Sequence, residues 1–136
     1  MSAPRPILIS NSFPFSLIRR PVNVRPRGLD ELGAALRSRP FASAWGHANT
    51  VALAGELIGI DLTPASERPA LTLSDDLLPV LDGRSFDECW LLSPDYTPGF
   101  RPQVNQELSP DHIRGWQVLR LHWPPADFEM EGVENA

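Results

Sequence analysis

Ile7-Leu8-Ile9-Ser10, followed by Asn11-Ser12, is a short apolar run shut off by a polar turn. A run of that length without helical spacing is the pattern of a buried strand. Beyond it, Phe13, Phe15, Leu17 and Ile18 alternate around Pro14 in a turn-rich stretch, and Pro21 and Pro26 bracket a second strand over 22–25. Proline at both ends confines that strand to an edge. Residues 30–37 read as a short helix, because Leu29, Leu32 and Leu36 share one face and Pro40 bars continuation.

A clearer helix spans 49–58. Val51, Ala54, Leu57 and Ile58 form its apolar stripe, Glu56 points outward and Gly59 supplies a left-handed stop. His47 stands at or just before its first turn, where unpartnered backbone N–H groups favour anions. Strands follow at 70–73 and 77–81 around the Ser74-Asp75-Asp76 turn, with Pro79 marking the second as an edge or bulged strand. Asp82-Gly83 ends it and Arg84 follows. Four prolines and Gly99 make most of 93–110 an extended loop. Ser109 and Pro110 open a further short helix. Trp116, Val118 and, after a phase shift, Leu119, Leu121 and Trp123 mark a final strand over 116–123. Five strands and three short helices imply a single α/β or α+β domain around one mixed sheet. It covers 1–126, with a loop insertion at 93–108 and an acidic tail at 127–136.

Composition narrows the function classes. The 136 residues are 42% hydrophobic, too many for general disorder despite 15 prolines. Cys89 is the single cysteine, which excludes a disulfide framework and a multi-cysteine zinc site. No apolar run approaches the roughly 20 residues that span a bilayer, and no secretory leader pattern opens the chain, so the expectation is a cytoplasmic protein with no membrane partner. All 12 basic side chains are arginine, set against 17 acidic ones. The net charge of −5 is uneven, since Asp127, Glu129, Glu131 and Glu134 supply most of it. Arginine forks suit phosphate, but a solvated surface explains the same composition.

Conventional catalytic motifs are missing. With no lysine there is no phosphate-binding loop ending in lysine, and there is no Gly-x-Ser-x-Gly elbow. Cys89 sits beside Glu88, which disfavours a thiolate, so its expected role is structural. His112 and His122 lie on expected surfaces without metal-site spacing, and no metal or other cofactor is expected. His47 differs by its setting, with Gly46 before it and Asn49 and Thr50 after it at a helix start.

Asn11-Ser12-Phe13 after the first strand, Ala44-Trp45-Gly46-His47-Ala48-Asn49-Thr50-Val51 opening the helix, and Gly83-Arg84 after a later strand occur in an order with a precedent. The chain resembles the viral anti-CRISPR ring nucleases of type III CRISPR defence and their cellular relatives, over 7–92 and 108–123. Gly-His-x-x-Thr is the most specific element. The resemblance implies a homodimer that binds cyclic tetra-adenylate across its two-fold axis and cleaves it without metal, in the host cytoplasm if the protein is viral. Duplex nucleic acid is not an implied partner.

Carried over by position, His47 is the general acid. Asn11 and Ser12 hold ribose or phosphate, Arg84 binds a scissile phosphate and Thr50 lines the helix-start site. Either Asp87 or Glu88 takes the family's acidic position, Glu88 as the catalytic candidate and Asp87 as a ligand-binding one. Pro14 departs from the small polar residue common there, and the alternatives are therefore a non-cleaving cyclic-nucleotide binder or a structural protein that keeps the fold.

Overall fold

The computed structural model describes residues 5–46, 48–65, 69–101 and 109–125. The first strand, β1 (Ile7–Ser10), lies inside a five-stranded mixed sheet with β2 (Asn23–Arg27), β3 (Phe41–Ser43), β7 (Glu88–Tyr96) and β8 (Ile113–His122), in the order β2-β8-β7-β1-β3. β1 runs parallel to both neighbours, and β8 is antiparallel to β7 and β2. A second, three-stranded antiparallel sheet holds β4 (Thr72–Leu73), β5 (Pro79–Leu81) and β6 (Arg84–Ser85).

Successive residues of a strand face opposite sides, and here both sides are covered. Ile7 and Ile9 of β1, with Trp90, Leu92 and Val118, pack against α1 (Leu29–Ser38) and α2 (Ala48–Ile58) through Leu32, Leu36, Val51, Ala54 and Ile58. Leu8, Cys89, Leu121 and Trp123 face the other way, toward Phe13, Leu81 and Phe86 under the small sheet. The result is three layers: helices, main sheet, small sheet.

Local chemistry sets the element ends. Glu31 accepts the Gly28 N–H at 3.2 Å and so caps the start of α1. Gly59, at φ +81°, donates back to Gly55 O and closes α2, whose Ile58 carbonyl also accepts from Arg37 of α1. Asp82 and Gly83, both with positive φ, make the two-residue turn that pairs Leu81 with Arg84. Among the described residues no helix is long and apolar enough to cross a membrane.

Several sequence expectations are corrected. The strands at 70–73 and 77–81 are not in the main sheet; β3 and β7 take those places. β5 is the central strand of its sheet, with Pro79 tolerated as its first residue. Residues 93–96 are not loop but the end of β7, where Pro94 pairs with Trp116. β1 pairs with β7 only as far as Leu91, so beyond that point β7 has an open side and needs no N–H from Pro94. The phase shift in 116–123 is absent: β8 pairs in unbroken register with β7 from Gly115 to His122, with both its faces covered, and its irregularity lies earlier, between Ile113 and Gly115. Leu57, assigned to the apolar stripe of α2, is 45% exposed. The helix at Pro110 is a three-residue 3-10 turn. Residues 102–108 and the tail at 127–136 lie outside the described residues.

One buried ionic cluster ties the layers together. Glu88, only 4% exposed, accepts from Arg39 at the end of α1 (2.9 Å), Arg120 of β8 (3.0 Å) and the Trp90 indole (2.7 Å). Burial alone would raise its pKa, but these donors and the Arg120 charge outweigh it and hold the carboxyl at about 2. The unfolded chain protonates Glu88 near 4.5, so its contribution to stability is present above that pH and is lost as pH falls toward 2. Glu88→Gln leaves two half-buried guanidinium groups uncompensated and is expected to cost about 3 kcal/mol at pH 7. In urea titrations from pH 7 to 2, the gap between wild type and variant should close below pH 4.5; a gap independent of pH would refute this assignment.

Candidate functional site

The polar turn after β1 and the segment between β3 and α2 meet at the carboxyl ends of adjacent parallel strands, the usual place for ligands in α/β sheets. Parallel register puts Ile9 beside Ser43, so the two chains leave the sheet together. Ala44 N–H donates to Ile9 O at 2.8 Å, and Ser10 Oγ donates to Ala44 O at 3.2 Å. Two further bonds fix Asn11. Its side-chain oxygen accepts the Gly46 N–H at 3.3 Å, and its carbonyl accepts from Ser93 Oγ at 2.7 Å. The Asn11 carboxamide NH2 and the Ser12 hydroxyl have no partner among the described residues.

A hollow of about 180 Å³ lies over this junction. Ser10, Asn11, Ser12 and Pro14 line it from the β1 side, and Ala44 and Gly46 from the β3 side. Leu17, Pro69 and Leu71 complete its wall. The arrangement offers neutral donors from rigid backbone, suited to a ribose hydroxyl or phosphate oxygen. His47, next in the chain after Gly46, lies outside the described residues.

The other sequence-derived candidates are placed elsewhere. Thr50 is 3% exposed, and its hydroxyl accepts the Trp45 indole N–H at 2.7 Å. It braces Trp45 rather than lining the hollow. Glu88 sits level with Ile7 in the β1–β7 register, four residues and thus roughly 13 Å along the strand from Asn11. The buried cluster already occupies its carboxylate, so Glu88 belongs to the opposite end of the sheet from Asn11. Asp87 is at that far end too, paired with Arg5. Arg84 is exposed beside the Asp82-Gly83 turn, its guanidinium 5.8 Å from the centre of the Phe86 ring, and is not part of the hollow of the single chain.

Sequence reading missed three contributors. Ser93 and Pro69 come from segments far from either motif, and Ser43 fixes the Trp45 N–H through its hydroxyl at 3.3 Å. Only the polar residue ending the Phe41-Ala42-Ser43 run carries a local signal. Among the described residues no three His, Cys, Asp or Glu side chains cluster as a metal site would need. Cys89 is fully buried, and burial followed by the Glu88 charge pushes its thiol pKa far up, away from nucleophile chemistry.

Thr50→Val should strand the Trp45 indole N–H and cost about 1–3 kcal/mol. Adding Trp45→Phe should recover part of that loss in a double-mutant cycle read by chemical denaturation. Strict additivity would mean that the two side chains are not coupled.

No protein-family profile and no curated protein matches the chain. Among solved structures, the fold is similar to that of B116 of Sulfolobus turreted icosahedral virus, with a TM-score of 0.56 and 15% identity. The likeness covers 87% of this chain and 98% of that one. At such identity what the two share is the fold.

Proposed function

We propose that the protein is a metal-independent ring nuclease that acts as a homodimer on cyclic tetra-adenylate and so switches off type III CRISPR signalling. The observation that carries this reading is the hydrogen bond from Gly46 to Asn11. It joins, across 35 positions of sequence, two of the three segments in which the resemblance to ring nucleases resides. Sharing a fold with a viral protein supports a viral setting, hence action in the host cytoplasm.

The chemistry needs no nucleophile from the protein. The ribose 2′-hydroxyl gives its proton to solvent water as its oxygen attacks the adjacent phosphorus, the new P–O2′ bond forms as P–O5′ breaks, and the leaving 5′-oxygen takes a proton. His47, as imidazolium, gives that proton. Asn11 and Ser12 donate to the ring and align it, and alignment is a large part of such a reaction. Arg84 is assigned to phosphate charge in the dimer, and Asp87, which pairs with Arg5 in the single chain, to ligand binding there. Glu88, held ionised between two arginines, positions Trp90 and β8 and moves no proton. A second reading, binding without cleavage, draws on Pro14, which lines the hollow where it can offer no N–H.

Incubating the full chain with radiolabelled cyclic tetra-adenylate in chelator should yield linear products. His47→Ala should slow cleavage by roughly 10²–10⁴-fold while leaving affinity within a few-fold. Ring that stays intact with protein in excess defeats the nuclease reading. Tight binding of that intact ring selects the non-cleaving binder, and absence of binding leaves a structural protein.

A further inference from the structure

Phe15 is a large apolar side chain that is 88% exposed, although Phe13, two residues before it, is buried and Leu17, two after, packs against the same core. Its backbone is well held. Residues Phe15–Leu17 form a 3-10 turn in which Leu17 N–H donates to Pro14 O and Ile18 N–H to Phe15 O, and Arg19 Nε donates to Ser16 O at 2.9 Å. The ring is thus presented to solvent on a fixed platform. Pro14, one residue before it, and Leu17, two after, both line the hollow, so the backbone of Phe15 runs along the edge of the hollow.

The size of the hollow indicates what the rim meets. Pockets that enclose small ligands are typically about 300–1,000 Å³, and this one is about 180 Å³. A ligand of several nucleotides can seat one ribose or phosphate there, and the remainder must lie across the rim. Arg19, exposed on the same turn, makes no ion pair with any described residue. An exposed aromatic ring with an exposed arginine four residues on is a combination that holds single-stranded nucleotides, by stacking under the base and attraction to phosphate.

We infer that Phe15 stacks on an adenine base of the nucleotide whose backbone is held at Asn11 and Ser12. The inference rests on the nucleotide reading of the hollow but not on cleavage. It makes Phe15 a binding and selectivity residue, with no part in proton transfer.

The test uses full-length wild type, Phe15→Ala and Phe15→Trp, all in chelator, with cyclic tetra-adenylate as probe in calorimetry and linear tetra-adenylate as a second probe. Phe15→Ala should bind the ring about 5- to 150-fold more weakly, with turnover at saturation within a few-fold. Phe15→Trp should restore affinity, and the emission added by its indole should be quenched by either probe. Quenching without cleavage upholds the stacking and defeats only the nuclease reading. Unchanged affinity in Phe15→Ala overturns the inference and leaves that reading standing. Absence of quenching by both probes overturns it as well, as does conversion of a wild-type dimer to monomer by Phe15→Ala in sedimentation, which would make Phe15 a subunit contact.

Discussion

The central constraint on this molecule is that β1 is closed on every side. Ile7, Leu8 and Ile9 are fully buried, with helices against one face, the small sheet over the other, and a parallel strand along each edge. Parallel neighbours cannot be joined by hairpins, so the chain must leave and return through long crossovers. That requirement positions α1 and α2 on one face. It also delivers the turn after β1 and the start of α2 to the same end of the sheet, where the donors of Asn11 and Ser12 gather.

The two ends of β1 then have opposite electrostatic characters. At the amino end Glu88 is neutralised inside a shell of two arginines and an indole, a buried charge that would be costly if any partner were removed. At the carboxyl end the groups are neutral amides and hydroxyls, some of them without a partner among the described residues and open to a hollow. The resemblance to ring nucleases groups Glu88 and Arg84 with Asn11; in the single chain strand direction sends Glu88 to the other end of the sheet, and Arg84 lies outside the hollow. A two-fold partner is the means by which such groups could be reunited, and the proposed ring ligand is one that a two-fold dimer suits.

How much of the fold was legible follows from the kind of signal each element carries. β1, α1 and α2 announce themselves by apolar run or by three- and four-residue spacing, and caps such as Gly59 mark their ends. β3 is only three residues long, too short for any period to appear. The end of β7 carries Pro94 and opens a proline-rich stretch, so local rules read 93–96 as loop, and only the one-sided pairing of β7 beyond Leu91 makes proline acceptable. The split of the strands between two sheets depends on pairing over long separations, which hydrophobic pattern does not encode.

The sequence by itself determined the class of the fold, the buried first strand, the helix that follows His47 and the polar turn at Asn11, because each is a local consequence of spacing and side-chain type. Tertiary structure decided which of the candidate residues share a site. Register brings Asn11 and Ser12 to Gly46, sinks Thr50 beneath Trp45, and sends Glu88 to the far end of the sheet. It also left Phe15 in solvent between two residues of the hollow, because a 3-10 turn, unlike a strand, need not alternate its side chains into the core.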